Sequence, residues 1–451
     1  MRKKDYTLIV LLIFFLGFFR NHGLSQNSLT AEDAVMIALE NNFQMQIAKK
    51  QIEMAHKNNS WSEAGLFPTV DLNASYGTSI IDNTNNPFTF TPGVLASRQF
   101  NPSLNTNWNI FSGFAVKISK QRLEQLEMQS KGNAMLIIEN ISSEVLKSYY
   151  TVINQQMRLQ VLEEIYKLSK TQFEYENLKS DFGQSNSLNI LQLKNKLFTD
   201  SINVIQQKIN IENTLRNLMI LMNMDEQQIL SSEFPTLNDS LNIILPEMNQ
   251  NEIINLMKSS NQNLKNQMIN LELQKTTSQI QKSFLYPTIS LQLGVSPSFG
   301  NFSSISDNNG ISAETQQINY FGNVSLRYNL FNNWKNKRAV EISQIQEEIT
   351  AMNALEMEKQ LTSNVIALYK SWEINQSLVD LSAQNIQYAK DALALGENRY
   401  ALGTINSIEL TLLQNNYLNS ALGYYDNLFQ RIDLFIEIMK VSGKMQLAYN
   451  D

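Results

Sequence analysis

The residues best placed to do chemistry in this chain sit in two short turns. One reads Phe182-Gly183-Gln184-Ser185-Asn186-Ser187, the other Leu402-Gly403-Thr404-Ile405-Asn406-Ser407. What they offer is conformational and electrostatic, not covalent. Gly183 and Gly403 supply the positive φ that a tight reversal after a helix requires. Asn406 is a good helix N-cap, and Glu409, three positions on, is the acid that completes a capping box. Covalent chemistry has little to work with. The chain has no cysteine, and its two histidines are His22 and His56, so zinc or copper sites built on those ligands are excluded. We find no phosphate loop, nucleophile elbow or zinc-binding helix motif, and the acids are scattered over helix exteriors. The sequence reads as a non-enzyme with no cofactor and no metal.

The turns belong to a larger duplication. Leu66-Phe67-Pro68-Thr69 returns as Leu285-Tyr286-Pro287-Thr288 and Asn109-Ile110-Phe111 as Asn329-Leu330-Phe331, within one residue of the offset that relates Gly183 to Gly403. A repeat this long lies outside the usual solenoid range. It means one architecture built twice.

Between the turns and their surroundings run long apolar rows at sevens. The first half has Ile138, Val145, Val152, Leu159, Tyr166 and Phe173; the second has Val365, Trp372, Val379, Ile386, Leu393 and Tyr400. Spacing of 3.5 residues per turn marks coiled-coil packing. With no Pro and little Gly, helices should run over 114–178 and 334–399, roughly 95–100 Å each at 1.5 Å per residue. Shorter helices should follow at 187–223 and 406–443. The first carries Leu188, Leu191, Phe198, Ile202, Ile205, Ile209 and Met219 as a core stripe. The second carries Ile408, Leu418, Leu422, Tyr425, Phe429, Ile432, Ile436 and Met439. Further helices, about 30–64 and 249–284, should precede the strands.

The strands show as a change of period from 3.5 to 2. Val70, Leu72, Ala74 and Tyr76 alternate with polar residues, as do Leu104, Trp108 and Ile110. In the second half Ile289, Leu291, Leu293 and Val295 alternate, then Val324, Leu326, Tyr328 and Leu330. Strands are expected at 69–79, 103–111, 288–296 and 320–331, each about the length of a tilted membrane strand. The connections 80–102 and 297–319 have loop composition. Phe88, Phe90, Phe100, Phe299, Phe302, Tyr320 and Phe321 could form an interfacial aromatic girdle. Four strands cannot close a membrane barrel, which starts at eight, so a spanning role demands several chains.

Composition agrees with export. Arg2, Lys3 and Lys4 precede an apolar run from Leu8 to Phe19, and Gly23-Leu24-Ser25 follows, which reads as a secretory signal peptide over 1–25; the alternative, an uncleaved membrane anchor, has a run short of the ~20 residues a span needs. The remaining organisation is a first repeat over 26–223, a linker or equatorial segment over 224–248, a second repeat over 249–443 and a tail over 444–451. A net charge of −6 gives no basic footprint for nucleic acid. Charged residues are 17% of the chain, so much of its surface is polar but uncharged.

Signal peptide, duplicated strand–strand–long helix–short helix units and the Gly-centred turns together resemble the TolC-like outer-membrane efflux protein (outer membrane factor) family. The resemblance covers about 28–443, and its sharpest local match is Tyr400-Ala401-Leu402-Gly403-Thr404 followed by Ile408-Glu409-Leu410. It implies a mainly α fold with a small β part: a long antiparallel coiled-coil helical barrel, plus four amphipathic strands per chain in a trimeric twelve-stranded outer-membrane β-barrel. It implies a homotrimer in contact with outer-membrane lipid, with a long periplasmic extension. The partners would be a periplasmic adaptor (membrane fusion protein) and an inner-membrane pump, in drug efflux or type I secretion. Adaptor docking would fall on Gly183, Asn186, Ser187, Gly403, Asn406 and Ser407. The family's aperture has an Arg after the second turn glycine, where this chain has Ile405. Its acids correspond to Glu409, Leu412 and Asn189. The Arg–Asp restraint is therefore missing. Tyr400, as a hydrogen-bonding latch, and Glu409, as an acidic ring, are the aperture candidates that remain. The competing reading is a periplasmic coiled-coil structural or adaptor protein with no membrane barrel.

Overall fold

A computed structural model describes residues 29–89, 93–231, 234–237, 239–305 and 312–445. The signal segment 1–25, Phe90 and most of the tail lie outside those residues. Each half of the chain runs through the same elements. Helices α1 (Ala31–Asn41) and α2 (Phe43–Asn58) lead to strands β1 (Thr69–Asp82) and β2 (Val94–Ser112), then α3 (Ala115–Asp181) and α4 (Ser187–Leu221). After a short α5 (Glu226–Ser231) come α6 (Gln250–Ser260), α7 (Gln262–Ser283), β3 (Thr288–Ser304), β4 (Ser312–Arg327), α8 (Lys335–Ala401) and α9 (Ser407–Ser442). The two long helices, α3 and α8, have 67 residues each.

The helix before each strand pair is not continuous. It breaks at Asn42 and at Asn261, equivalent positions in the repeat, where ψ swings to 125° and 122°. Asn side chains compete with the backbone for helical hydrogen bonds. Asn42 Oδ1 accepts from the Gln44 N–H at 2.8 Å and starts α2 afresh, and Asn261 Nδ2 donates to the Val441 carbonyl at 2.9 Å.

The chain divides into two compact units. One contains the residues up to Gln46 with Ile137–Asn261 and Leu361 onward; the other contains Ile47–Leu136 and Gln262–Gln360. In the first unit the heptad row of α8 is buried at Val365, Trp372, Val379, Leu393 and Tyr400. The α3 row holds at Val145 and Val152, but the core then moves to Val161, Ile165, Ser169, Gln172 and Glu176. Leu159, Tyr166 and Phe173 are left half-buried. A straight helix drifts about 20° per heptad from a 3.5 repeat, and polar residues occupy the displaced seam. α3 packs on α9 inside the chain. Val161 and Ile165 meet Leu410, Tyr417 and Ala421, while Arg158 pairs with Asp426 at 2.9 Å and Lys147 with Asp433 at 2.8 Å.

The core stripe expected on α4 is bare. Leu188, Leu191, Phe198, Ile202, Ile205 and Ile209 are all more than half exposed, and only Met219 is buried. A second bare row runs along α8 at sevens through Leu381, Tyr388, Leu395 and Leu402. The duplication explains both. The α4 stripe corresponds to Leu418, Tyr425 and Phe429 of α9, which pack in clusters that include α3 residues, whereas Ile408 at the tip, also expected in the core, is exposed like its equivalent Leu188. The α8 row corresponds to Val161, Leu168 and Tyr175 of α3. Within the chain, α3 covers α9; the equivalent α8–α4 contact has no partner to close it.

In the second unit the strands form one antiparallel sheet in the order β1-β2-β3-β4. Three strands run further than expected, taking in 80–82, 94–102 and 297–304, and β4 starts at Ser312 and stops at Arg327. Ser, Asn and Thr gave these segments loop composition, yet β1–β2 and β3–β4 pair straight through Pro102 and Pro297; only the β2–β3 ladder lapses there, between Phe100–Phe299 and Leu104–Val295. β4 stops at Arg327 because its ladder partner β3 begins opposite it at Thr288, and Asn333 and Trp334, at φ 55° and 59°, then turn the chain into α8. Residues paired across strands share a face. Leu72, Leu104, Val295 and Tyr320 form one apolar row, and Tyr76, Phe100 and Phe299 form the next but one. From Ile289 to Phe299 the apolar face rises about 33 Å along the strand. At a tilt of 35–45° that becomes roughly 23–27 Å, the height of an outer-membrane apolar band. Phe302 and Phe321 do not belong to a girdle. They lie on the opposite, polar face, where Phe321 sits over Gly294 beside Asn105. Among the described residues no helix is long and apolar enough to cross a membrane.

Bare heptad seams predict self-association. Leu191→Asp puts a carboxylate into the α4 seam and should shift detergent-solubilised protein from an oligomer to single chains in native mass spectrometry. Leu215→Ala, a trim of the same helix inside the chain, should leave the oligomer intact.

Candidate functional site at the helical turns

The two turns are built alike. At the end of α3, the Gly183 N–H bonds to the Ser180 carbonyl at 2.9 Å and the Gln184 N–H to Lys179 at 2.8 Å. At the end of α8, Gly403 bonds to Tyr400 and Thr404 to Arg399, each at 2.9 Å. Both glycines have φ of 72°, the left-handed geometry of a Schellman cap. A Cβ at either would meet no neighbour, so backbone strain alone disfavours a larger residue. The next helices start on Asn caps. Asn186 Oδ1 accepts from the Asn189 N–H at 2.9 Å. Asn406 and Glu409 form the reciprocal capping box, both bonds at 2.9 Å.

Exposure sorts the sequence candidates. Gly183, Asn186, Ser187, Gly403, Asn406 and Glu409 face solvent. Ser407 is buried, because the first turn of α9 packs on α3 and Gln172 Nε2 donates to its carbonyl at 3.4 Å. Tyr400 is also buried, and its hydroxyl donates to Glu176 Oε2 at 2.7 Å.

Glu176 is the residue that sequence reasoning missed. It ties the two turns together: Ser185 Oγ donates to its other oxygen at 2.5 Å, and Asn189 also bonds to it. Burial works against its charge. The hydrogen bonds from Ser185 and Tyr400, with the Lys179 ammonium, outweigh that and hold the carboxyl below its usual range. Lys179 Nζ lies 4.5 Å from the Tyr175 ring centre and 5.1 Å from that of Tyr400. The Tyr400 hydroxyl is raised by its burial and by the adjacent Glu176 charge. Beside this cluster is a cavity of about 270 Å³ lined by Leu168, Tyr175, Glu397, Tyr400, Leu410 and Gln414. Burial, then the nearby Glu164, pushes Glu397 up. The position equivalent to Glu176 in the second repeat is Gly396, so the duplication gave no signal for it. A charged residue on the buried seam of a coiled coil was the available clue.

This arrangement can fix and release a turn; it holds no nucleophile activated by a base. Among the described residues no group of His, Cys, Asp and Glu converges to hold a metal.

Residues 34–224 and 253–443 match the family described as outer membrane efflux protein. No curated protein matches the chain by sequence. Among solved structures, the chain is similar to the Campylobacter jejuni CmeC outer membrane channel, with a TM-score of 0.74 at 17% identity over 92% of this chain and 85% of that one. The outer membrane protein VceC from Vibrio cholerae gives 0.70 at 13% identity, over 92% and 96%. The open state of the Neisseria gonorrhoeae MtrE outer membrane channel gives 0.69 at 15%, over 92% and 88%.

Tyr400→Phe removes one donor from a buried carboxylate, which costs about 1–3 kcal/mol. Amides of 399–404 should exchange hydrogen about ten- to a hundredfold faster, with the amides around Tyr149 unchanged. Because Glu176 is held below its unfolded value, its stabilisation is present above the ordinary carboxylate range and lost as pH falls through the lowered value. Acidification should therefore lower the protection of these amides, taken relative to the intrinsic exchange rate at each pH, more in the wild type than in Tyr400→Phe.

Proposed function

The chain belongs to the outer membrane efflux protein family, an outer-membrane channel with a helical periplasmic extension, and on that premise we propose that three copies form the exit duct of a tripartite export system. The observation that carries the reading is the pair of bare seams on α4 and α8, together with a sheet whose apolar face is uncovered. Each chain presents one seam of each kind, so the contact is head-to-tail and closes as a ring. Three chains of four strands make a twelve-stranded barrel, above the minimum of eight. A periplasmic coiled-coil adaptor, the competing reading, would have no use for an apolar sheet face of membrane height.

In this reading the duct is passive. An inner-membrane pump chooses the cargo and supplies the energy, and a periplasmic adaptor docks on the turns 179–187 and 399–407. Drug efflux and type I secretion both suit such a duct, and the pump decides between them. The turns are also where the closed duct narrows, with Tyr400 bound to Glu176 as the latch and Glu409 as the carboxylate each chain contributes to the aperture. The direct test is export in cells lacking their own duct, given this chain with its cognate adaptor and pump; no export, from protein assembled in the outer membrane, refutes the proposal.

Two variants address the parts. Gly403→Val forces a β-branched residue to positive φ and should abolish export while the oligomer still assembles; normal export would remove the docking assignment. Glu409→Gln keeps the capping geometry and removes a charge from each chain. In planar bilayers it should lower cation preference with little change in thermal stability. Unchanged ion preference would leave Glu409 as a cap alone.

A further inference from the structure

We propose that the lipid-facing side of the sheet carries a binding site for a phosphorylated glycolipid of the outer leaflet, with Arg98 as its phosphate anchor. Register defines the site. Thr78, Arg98, Asn301 and Glu314 form one cross-strand row on the apolar face, directly beyond the row of Tyr76, Phe100, Phe299 and Gln316. The spacing is about 7 Å along the strands. The long helices leave from the other end of the sheet, after Ser112 and Arg327, so this row lies on the exterior side, where the apolar band ends and head groups begin. Tyr76, Arg98, Phe100, Phe299, Glu314 and Gln316 line a depression of about 550 Å³ there.

An arginine facing lipid is costly without an anion. Arg98 is exposed, and among the described residues no ion pair holds it. Glu314 stands two strands away, about 9–10 Å across the sheet. A guanidinium at head-group height matches a phosphate monoester through two parallel hydrogen bonds. The remaining groups favour a sugar. Phe100 and Phe299 stack with ring centres 6.3 Å apart, an apolar platform for the C–H face of a pyranose. Asn301, Gln316 and Glu314 can bond to ring hydroxyl and amide groups. The acyl chains would then run down over Leu72, Leu104 and Val295, the apolar row two below the aromatic one. A plain phospholipid would satisfy Arg98, but its small head group cannot reach all three polar side chains at once.

The test uses the purified oligomer in detergent with diphosphoryl lipid A, the same lipid A enzymatically dephosphorylated, and phosphatidylglycerol, binding being counted by native mass spectrometry. Wild-type protein should bind the diphosphoryl form about tenfold more tightly than the dephosphorylated one, the worth of one charge-assisted pair. Arg98→Gln should lose that preference. Glu314→Gln should weaken both forms of lipid A alike. The proposal is overturned if wild-type protein ignores the phosphates, if Arg98→Gln binds as wild type does, or if phosphatidylglycerol competes equally with lipid A. If Arg98→Gln fails to assemble, the wild-type comparison of the two forms still decides. Channel conductance on the same sample keeps a negative result here separate from the export reading.

Discussion

Apolar seams at heptad spacing have to be covered, and this chain covers only half of its own. Full burial of a Leu- or Ile-sized side chain is worth about 1.5–3 kcal/mol. A stripe of six such residues on α4 is therefore comparable with the whole stability of an ordinary domain, about 5–15 kcal/mol. Inside the chain the same contact is made once, α3 against α9, with Val161 and Ile165 in its centre and Arg158–Asp426 at its margin. Duplication turns that internal contact into a template. What the first repeat's long helix does for the second repeat's short one, the second repeat's long helix is left to do for another chain's α4.

The second unit solves packing differently. Where α3 and α7 lie together, most of the buried groups are polar: Asn266 donates to Asn133 at 3.0 Å and Thr276 to Gln125 at 3.1 Å, and Ser278 and Ser283 are buried, as are the apolar Ala134 and Leu264. Gly132 leaves room for the Asn266 amide, which any larger residue would strike. Nearby, Lys131 and Asn59, against the cost of burial and with help from His56, hold Glu127 down to about 2. This is the structural meaning of a sequence poor in charge and rich in Asn, Gln, Ser and Thr. Short polar side chains let helices approach closely and satisfy each other by hydrogen bonds.

The long helices, the turns and the duplication were legible because periodicity and offset are properties of one chain. Which seam stays bare was not. Leu191 and Leu418 read alike in sequence, and only tertiary structure separates a stripe covered by α3 from one awaiting a neighbour. The breaks at Asn42 and Asn261 escaped notice because Asn in a helical pattern is only mildly unfavourable. The strand extensions were hidden by polar residues and by prolines, which here interrupt only the β2–β3 ladder and leave the other two running. Glu176 was missed for the opposite reason. It breaks the repeat, standing where the other half has Gly396, and a search built on self-similarity passes over the positions at which the copies diverged.

Phe321 has a counterpart that is easy to overlook, because it is an absence. Its ring lies on the polar, water-facing side of the sheet, pressed against the bare backbone of Gly294. A methyl group at 294 would collide with that ring and push it away from the wall, once per chain. The close seat of that ring against the wall thus depends on a single missing carbon.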